Sequence, residues 1–177
     1  ALASNTAAHL FEKLRREASL GEETPLRFTV VLVGKPLSNH SYARQVGEYL
    51  VHEVDEDEST GELLGVAFHE IAHVAHFMSP ARPAFERSFL SMGDSGLLAA
   101  TLWDEAVATA FGNGLAAEAF DPAFRVSGSF YADKQLDAVG RALYLEWKAG
   151  LDVRLGPPFA KELTRLVDAH WSSDERP

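Results

Sequence analysis

Apolar residues along this chain follow two different rhythms. "LRFTVVLVG" (26–34) is a short β-branched run closed by Gly34 and Pro36, and it predicts a strand. "GKPLSNHSYA" (34–43) is polar and reads as a turn. "GEYLVHEVDE" (47–56) alternates and predicts a second strand, followed by the acidic, solvated turn "DEDEST". Elsewhere the apolar positions recur at helical spacing. Residues 4–19 predict a helix capped by Ser4 or Asn5, with Leu10, Phe11 and Leu14 as its apolar stripe. Ser59 with Glu62 three residues on forms a capping box. It predicts a helix over 60–79, stopped by Pro80 and Pro83. A second such helix opens near Asp94 or Ser95 and ends at "GNG" (112–114), a C-terminal glycine signal. "FDPAFRVSGSFY" (120–131) reads as loop, 132–150 as a third helix, and a fourth opens near Pro157 and Pro158. Strands first and helices afterwards predict an α+β fold.

Two of these helices are unusual in what they lack. Between Leu63 and Ser79 the only ionisable residues are His69, Glu70, His73 and His76. Between Gly96 and Ala117 they are Asp104 and Glu105. Everything else on both segments is apolar, small or neutral, so both should be buried. A polar group buried without a partner costs several kcal/mol, roughly 2–7. These few residues therefore need partners.

His69, Glu70 and His73 form H-E-x-x-H. Positions i and i+4 lie on one face of a helix, so two imidazoles can each point a nitrogen at one metal ion. Glu70 lies about 100° round from His69, away from the ligand set but within reach of a water in the site. That is the arrangement of a metal-activated hydrolase with a carboxylate base. A catalytic zinc usually takes three protein ligands, and Glu105 is the candidate for the third, with Asp104 as the neighbouring alternative. A buried carboxylate wants a cation, and that segment holds no Lys or Arg. The competing readings are core histidines satisfied by the protein itself and an acid pair that faces solvent. His76 lies about 10 Å along the axis from His69, which suits a supporting or structural role better than a ligand.

H-E-I-A-H followed by W-D-E-A-V-A on a second helix resembles the gluzincin branch of the zincin metallopeptidases, over about residues 50–114. The resemblance implies a zincin-like single domain over 1–177. A lobe of residues 1–79 would carry the small sheet and the H-E-x-x-H helix, a helical lobe of 80–177 would carry Glu105, and the cleft would lie between them. It implies one zinc per chain on His69, His73 and Glu105, with Glu70 as general base. It also implies a downstream hydrogen-bond donor for the oxyanion, for which Tyr131 comes first and Tyr144 second. The strand before the motif helix, "GEYLVHEV" (47–54), would be the edge strand that holds an extended peptide, and Arg125 could meet a substrate carboxylate. The chain departs from its neighbours in places. In the thermolysin-like pattern an Asp stands where this chain has Thr109. His76 and Ser79 occupy the positions at which metzincins carry a glycine and a third histidine.

Composition narrows the alternatives. The chain has 177 residues, 46% of them hydrophobic, enough for a real core. A net charge of −10 argues against a nucleic-acid partner and against anionic membranes. Without cysteine there are no disulfides, thiolate zinc sites or iron–sulfur clusters. No apolar run reaches the roughly 18 residues that a membrane span needs. The opening Ala-Leu-Ala resembles a signal-peptidase cleavage site and favours export, against the alternative of a boundary inside a longer protein. The expected partner is a peptide or protein substrate. The alternative function is a zincin-like metal-binding module that acts as a scaffold.

Overall fold

The structure is a computed structural model that describes residues 2–24, 28–34, 43–46, 49–54 and 59–171. Most of the two turns expected around 34–43 and 55–60 lies outside the described residues.

Helix α1 runs Leu2–Glu17 and buries Leu10 and Leu14 as its stripe requires. It starts before Ser4, so neither Ser4 nor Asn5 is its cap: the helix extends a little further back than the polar pair suggests. Three strands follow, β1 (Thr29–Gly34), β2 (Ala43–Val46) and β3 (Tyr49–Val54), in the spatial order β1-β3-β2. β1 pairs parallel with β3, and β2 pairs antiparallel with it. Two expectations change here. The first strand is followed by β2, a four-residue strand at the end of the polar stretch. The strand before the motif helix, β3, is then the middle of the sheet, with both its edges already paired, and cannot be the edge that receives a peptide. Leu50 and His52 of β3 are buried, whereas Val30, Val31, Leu32 and Val33 of β1 are exposed.

The capping box forms as read. Ser59 Oγ accepts from Glu62 N–H at 3.2 Å and Glu62 Oε2 accepts from Ser59 N–H at 2.7 Å, starting α2 (Thr60–Met78). Pro83 does more than end it. It lies in the first turn of a further helix, α3 (Arg82–Phe89), where a missing N–H costs nothing.

The largest departure is at "GNG". Helix α4 (Gly93–Ala108) does not stop there; it widens into a π-helical segment, Thr109–Ala116, and runs on as α5 (Ala117–Phe120). Gly112 serves close approach rather than termination. A Cβ on it would stand 2.4 Å from His69 N and 2.5 Å from His69 Cα. Gly61 plays the same part at the other end of α2, where a Cβ would lie 2.6 Å from Asp121 Cα. α2 and the α4–π–α5 helix therefore pack backbone against backbone. α6 (Lys134–Lys148) starts at Asp133, whose Oδ1 accepts from Gln135 and Leu136 N–H at 2.9 Å each. α7 (Pro157–His170) starts at its proline pair.

One apolar core runs through the helices of both halves, from Leu14 and Phe68 through Phe85, Trp103 and Phe111 to Leu143 and Leu163. Phe85 joins its parts, 5.1 Å from Trp103 and 5.6 Å from Phe159 between ring centroids. The molecule is mainly helical with a small sheet, which agrees with an α+β fold. Among the described residues no helix is long and apolar enough to cross a membrane.

Candidate metal centre

The backbone contact between Gly112 and His69 sets the geometry of the site. It brings α2 against α4 and the π segment, so the few ionisable residues of two apolar helices meet in one place. His69 and His73, one turn apart on α2, direct Nε2 to a common point, with the two nitrogens 3.2 Å apart. From α4, Glu105 places Oε1 3.0 Å from His69 Nε2 and Oε2 3.5 Å from His73 Nε2. Candidate ligand atoms of the three residues lie within 4.8 Å of one another.

The other face of each imidazole is held. His69 Nδ1 pairs with Asn113 Oδ1 at 2.8 Å, and His73 Nδ1 pairs with Asp104 Oδ2 at 3.0 Å. Both partners are oxygen acceptors, so each Nδ1 carries the proton in the neutral ring and each Nε2 presents a lone pair. With both rings neutral, two lone pairs converge on the Glu105 carboxylate. Glu105 Oε1 is buried and accepts no aligned hydrogen bond among the described residues, a need that a cation could meet. Two nitrogens bound to one tetrahedral ion at about 2.0–2.1 Å would stand about 3.3 Å apart, close to what is seen. His69, His73 and Glu105 thus form a group that can hold a metal ion.

The remaining residues fall into place around it. Asp104 lies outside this group. It bridges His73 and His76, taking His76 Nδ1 on Oδ1 at 2.6 Å. His76 is 2% exposed, with its ring 5.1 Å from that of Trp103, and it supports Asp104. Glu70 makes no hydrogen bond or ion pair among the described residues, yet its charge is felt by both His73 and Tyr131. The Tyr131 ring stacks on His69, with centroids 6.0 Å apart and planes at 13°, and its hydroxyl meets the Glu105 carboxylate. Tyr144 is fully buried against Phe124 and Phe130, which makes it a core residue and removes it as an oxyanion donor. Arg125 is exposed and donates to Phe124 O at 2.8 Å. It lines a groove with Val66 and Asn113, next to the His69 side of the site.

The charges of the site are mutually adjusted. Burial opposes the ionised Asp104, but hydrogen bonds from His73 and His76 outweigh it and hold the carboxyl well below its ordinary range. Burial pushes Glu105 up, while His69, the Tyr131 hydroxyl and His73 bring it below the usual value. Burial also opposes a charged His73, yet Asp104, Glu105 and Glu70 raise its pKa above 6.5. For His76 burial prevails and the pKa falls. Burial and the neighbouring Glu105 carboxylate raise Tyr131, which stays a neutral donor at any ordinary pH.

Asn113 is the residue that sequence reasoning missed. It lies inside the motif taken as a helix stop, and an asparagine between two glycines carries no signal of its own. No protein-family model matches the chain, and neither a curated protein nor a solved structure matches it.

Proposed function

We propose that this chain is a zinc-dependent metallopeptidase of the gluzincin type, with His69, His73 and Glu105 as metal ligands. The observation that carries the reading is the pair of Nε2 lone pairs, fixed by Asn113 and Asp104, that face each other and the unpaired Glu105 Oε1. Imidazole nitrogens and a single carboxylate suit zinc, and two histidines with a glutamate are a known catalytic zinc set. Bound there, zinc would supply Lewis acidity, polarising a carbonyl and lowering the pKa of water.

The chain's own residues then have distinct tasks. Glu70, free of any partner among the described residues, takes a proton from the attacking water and passes it to the leaving amine. Tyr131 carries a neutral hydroxyl over the His69 ring and donates to the oxyanion that develops on the substrate. Asn113 and Asp104 hold the two imidazoles in one tautomer and one orientation. An extended substrate that adds to the sheet near α2 would use the outer edge of β2, since β3 is paired on both sides and β2 packs against α2. Arg125, in the adjoining groove, is placed to meet a substrate carboxylate.

The test is turnover of an unstructured protein such as casein. Hydrolysis that stops with chelator and returns with zinc supports the reading. A zinc-loaded protein that cleaves nothing across a broad peptide library overturns it in favour of a metal-binding scaffold.

A further inference from the structure

Asp137 is a buried acid that the mechanism above does not use. It lies on the first turn of α6 and is 6% exposed. Its Oδ1 accepts from Phe130 N–H at 2.6 Å and from Tyr131 N–H at 3.2 Å, with Ser129 Oγ 3.4 Å away. Its Oδ2 pairs with the Arg141 guanidinium one turn along the helix. A buried carboxylate is costly unless it is fully bonded, and this one takes two of its bonds from consecutive loop backbone N–H groups. The helix does not need it as a cap, because Asp133 already occupies that position.

The loop so held has one side chain in the candidate metal centre. Phe130 turns inward, with its ring 5.6 Å from Phe124 and 5.4 Å from Tyr144. Ser129 returns its hydroxyl to Tyr131 O at 2.8 Å. Tyr131 turns the other way, over His69 and on to Glu105. Two backbone N–H groups bonded to one oxygen fix the peptide plane from which Tyr131 springs, and so fix where its ring starts. Without that anchor an exposed loop rich in Gly and Ser would carry the ring through many positions.

We propose that Asp137 is a positioning residue that acts through Tyr131, setting its ring on His69 and its hydroxyl at Glu105. The functional part of this rests on the hydrolytic reading of the site; the structural part does not. Two readouts on the full chain keep them apart: the visible absorption of the cobalt(II)-loaded protein, which senses the geometry around the ligands, and turnover of the zinc-loaded protein. Tyr131→Phe, Asp137→Ala and the double variant are compared with wild type. The expected result is the same shift of the cobalt bands in all three. Turnover falls by a similar factor in each, about 10²-fold for loss of an oxyanion donor, and no further in the double variant. Asp137→Asn, whose amide oxygen still accepts from both N–H groups, recovers most of the loss. Wild-type bands and turnover in Asp137→Ala overturn the proposal, as does a loss that multiplies with that of Tyr131→Phe. If Asp137→Ala shows no cooperative melt, Asp137→Asn carries the same test: its smaller loss must disappear in the Tyr131→Phe background, and a loss that persists overturns the proposal. A shared band shift in a protein without turnover rejects the hydrolytic reading and upholds the positioning of Tyr131.

Discussion

His76 Nδ1 donates to Asp104 Oδ1 at 2.6 Å, and the other oxygen of the same carboxylate takes His73 at 3.0 Å. A fully buried histidine thus holds the acid that orients a candidate metal ligand. Replacing Asp104 by Asn keeps the shape and removes the charge. Partners of this kind typically contribute about 10–100-fold in metal affinity, and that is the loss expected for Asp104→Asn in a zinc competition titration, with helical circular dichroism retained. An unchanged affinity would show that His73 needs no such support.

Gly112 allows no side chain. Its Cβ would lie 2.4–2.5 Å from the His69 backbone, so Gly112→Ala must push α2 and the π segment apart. Overpacking of this kind costs about 1–3 kcal/mol. Metal affinity should fall along with the melting temperature, because the displaced residue is a proposed ligand and Asn113 is next to the glycine. A stable variant with normal metal binding would mean that the close packing is not what sets the site.

Protons compete with metal at His73. Its pKa is raised above 6.5 in the metal-free protein by Asp104, Glu105 and Glu70, against burial. Protonation there stabilises the metal-free fold fully below 6.5, and the gain is lost as pH rises through the folded pKa. Metal must displace that proton, so affinity should fall about tenfold per pH unit below the folded pKa. His76, with its lowered pKa, works in the opposite direction, losing stability as pH falls below 6.5. The rise in melting temperature caused by zinc should therefore be larger at pH 8 than at pH 6. An equal rise at both would contradict a His73 pKa raised above its ordinary value.

Glu70→Gln separates binding from chemistry. The side chain is no ligand and has no partner among the described residues, so metal content and melting temperature should be unchanged. Turnover should drop by about 10²–10⁴-fold, the usual cost of losing a general base. Near wild-type turnover in this variant would remove Glu70 from the mechanism.

What the sequence made legible follows from what each signal depends on. Ser59 with Glu62 and the ionisable residues of two otherwise apolar helices are local patterns, and the structure brings His69, His73 and Glu105 together as they imply. The helix over 60–79 ends before Pro80 as read, but Pro83 and the "GNG" glycines also show how one residue type serves two purposes. A proline stops one helix yet is admitted in the first turn of the next, and a glycine ends a helix or lets another backbone come close. Only the neighbour decides, and the neighbour of Gly112 is His69, more than forty positions away (112 − 69 = 43). The central place of β3 was hidden for the same reason, since pairing order is not written in any one strand. β2 has four residues at the end of a polar stretch, too short for alternation to show.

Zinc stoichiometry after equilibrium dialysis, read by elemental analysis on wild type beside His73→Ala, tests the central claim most directly. The expected result is one zinc per chain in wild type and none retained in the variant at the same free metal concentration. Absence of zinc from the wild type under those conditions, or one zinc retained in both proteins, would contradict a centre built on His69, His73 and Glu105.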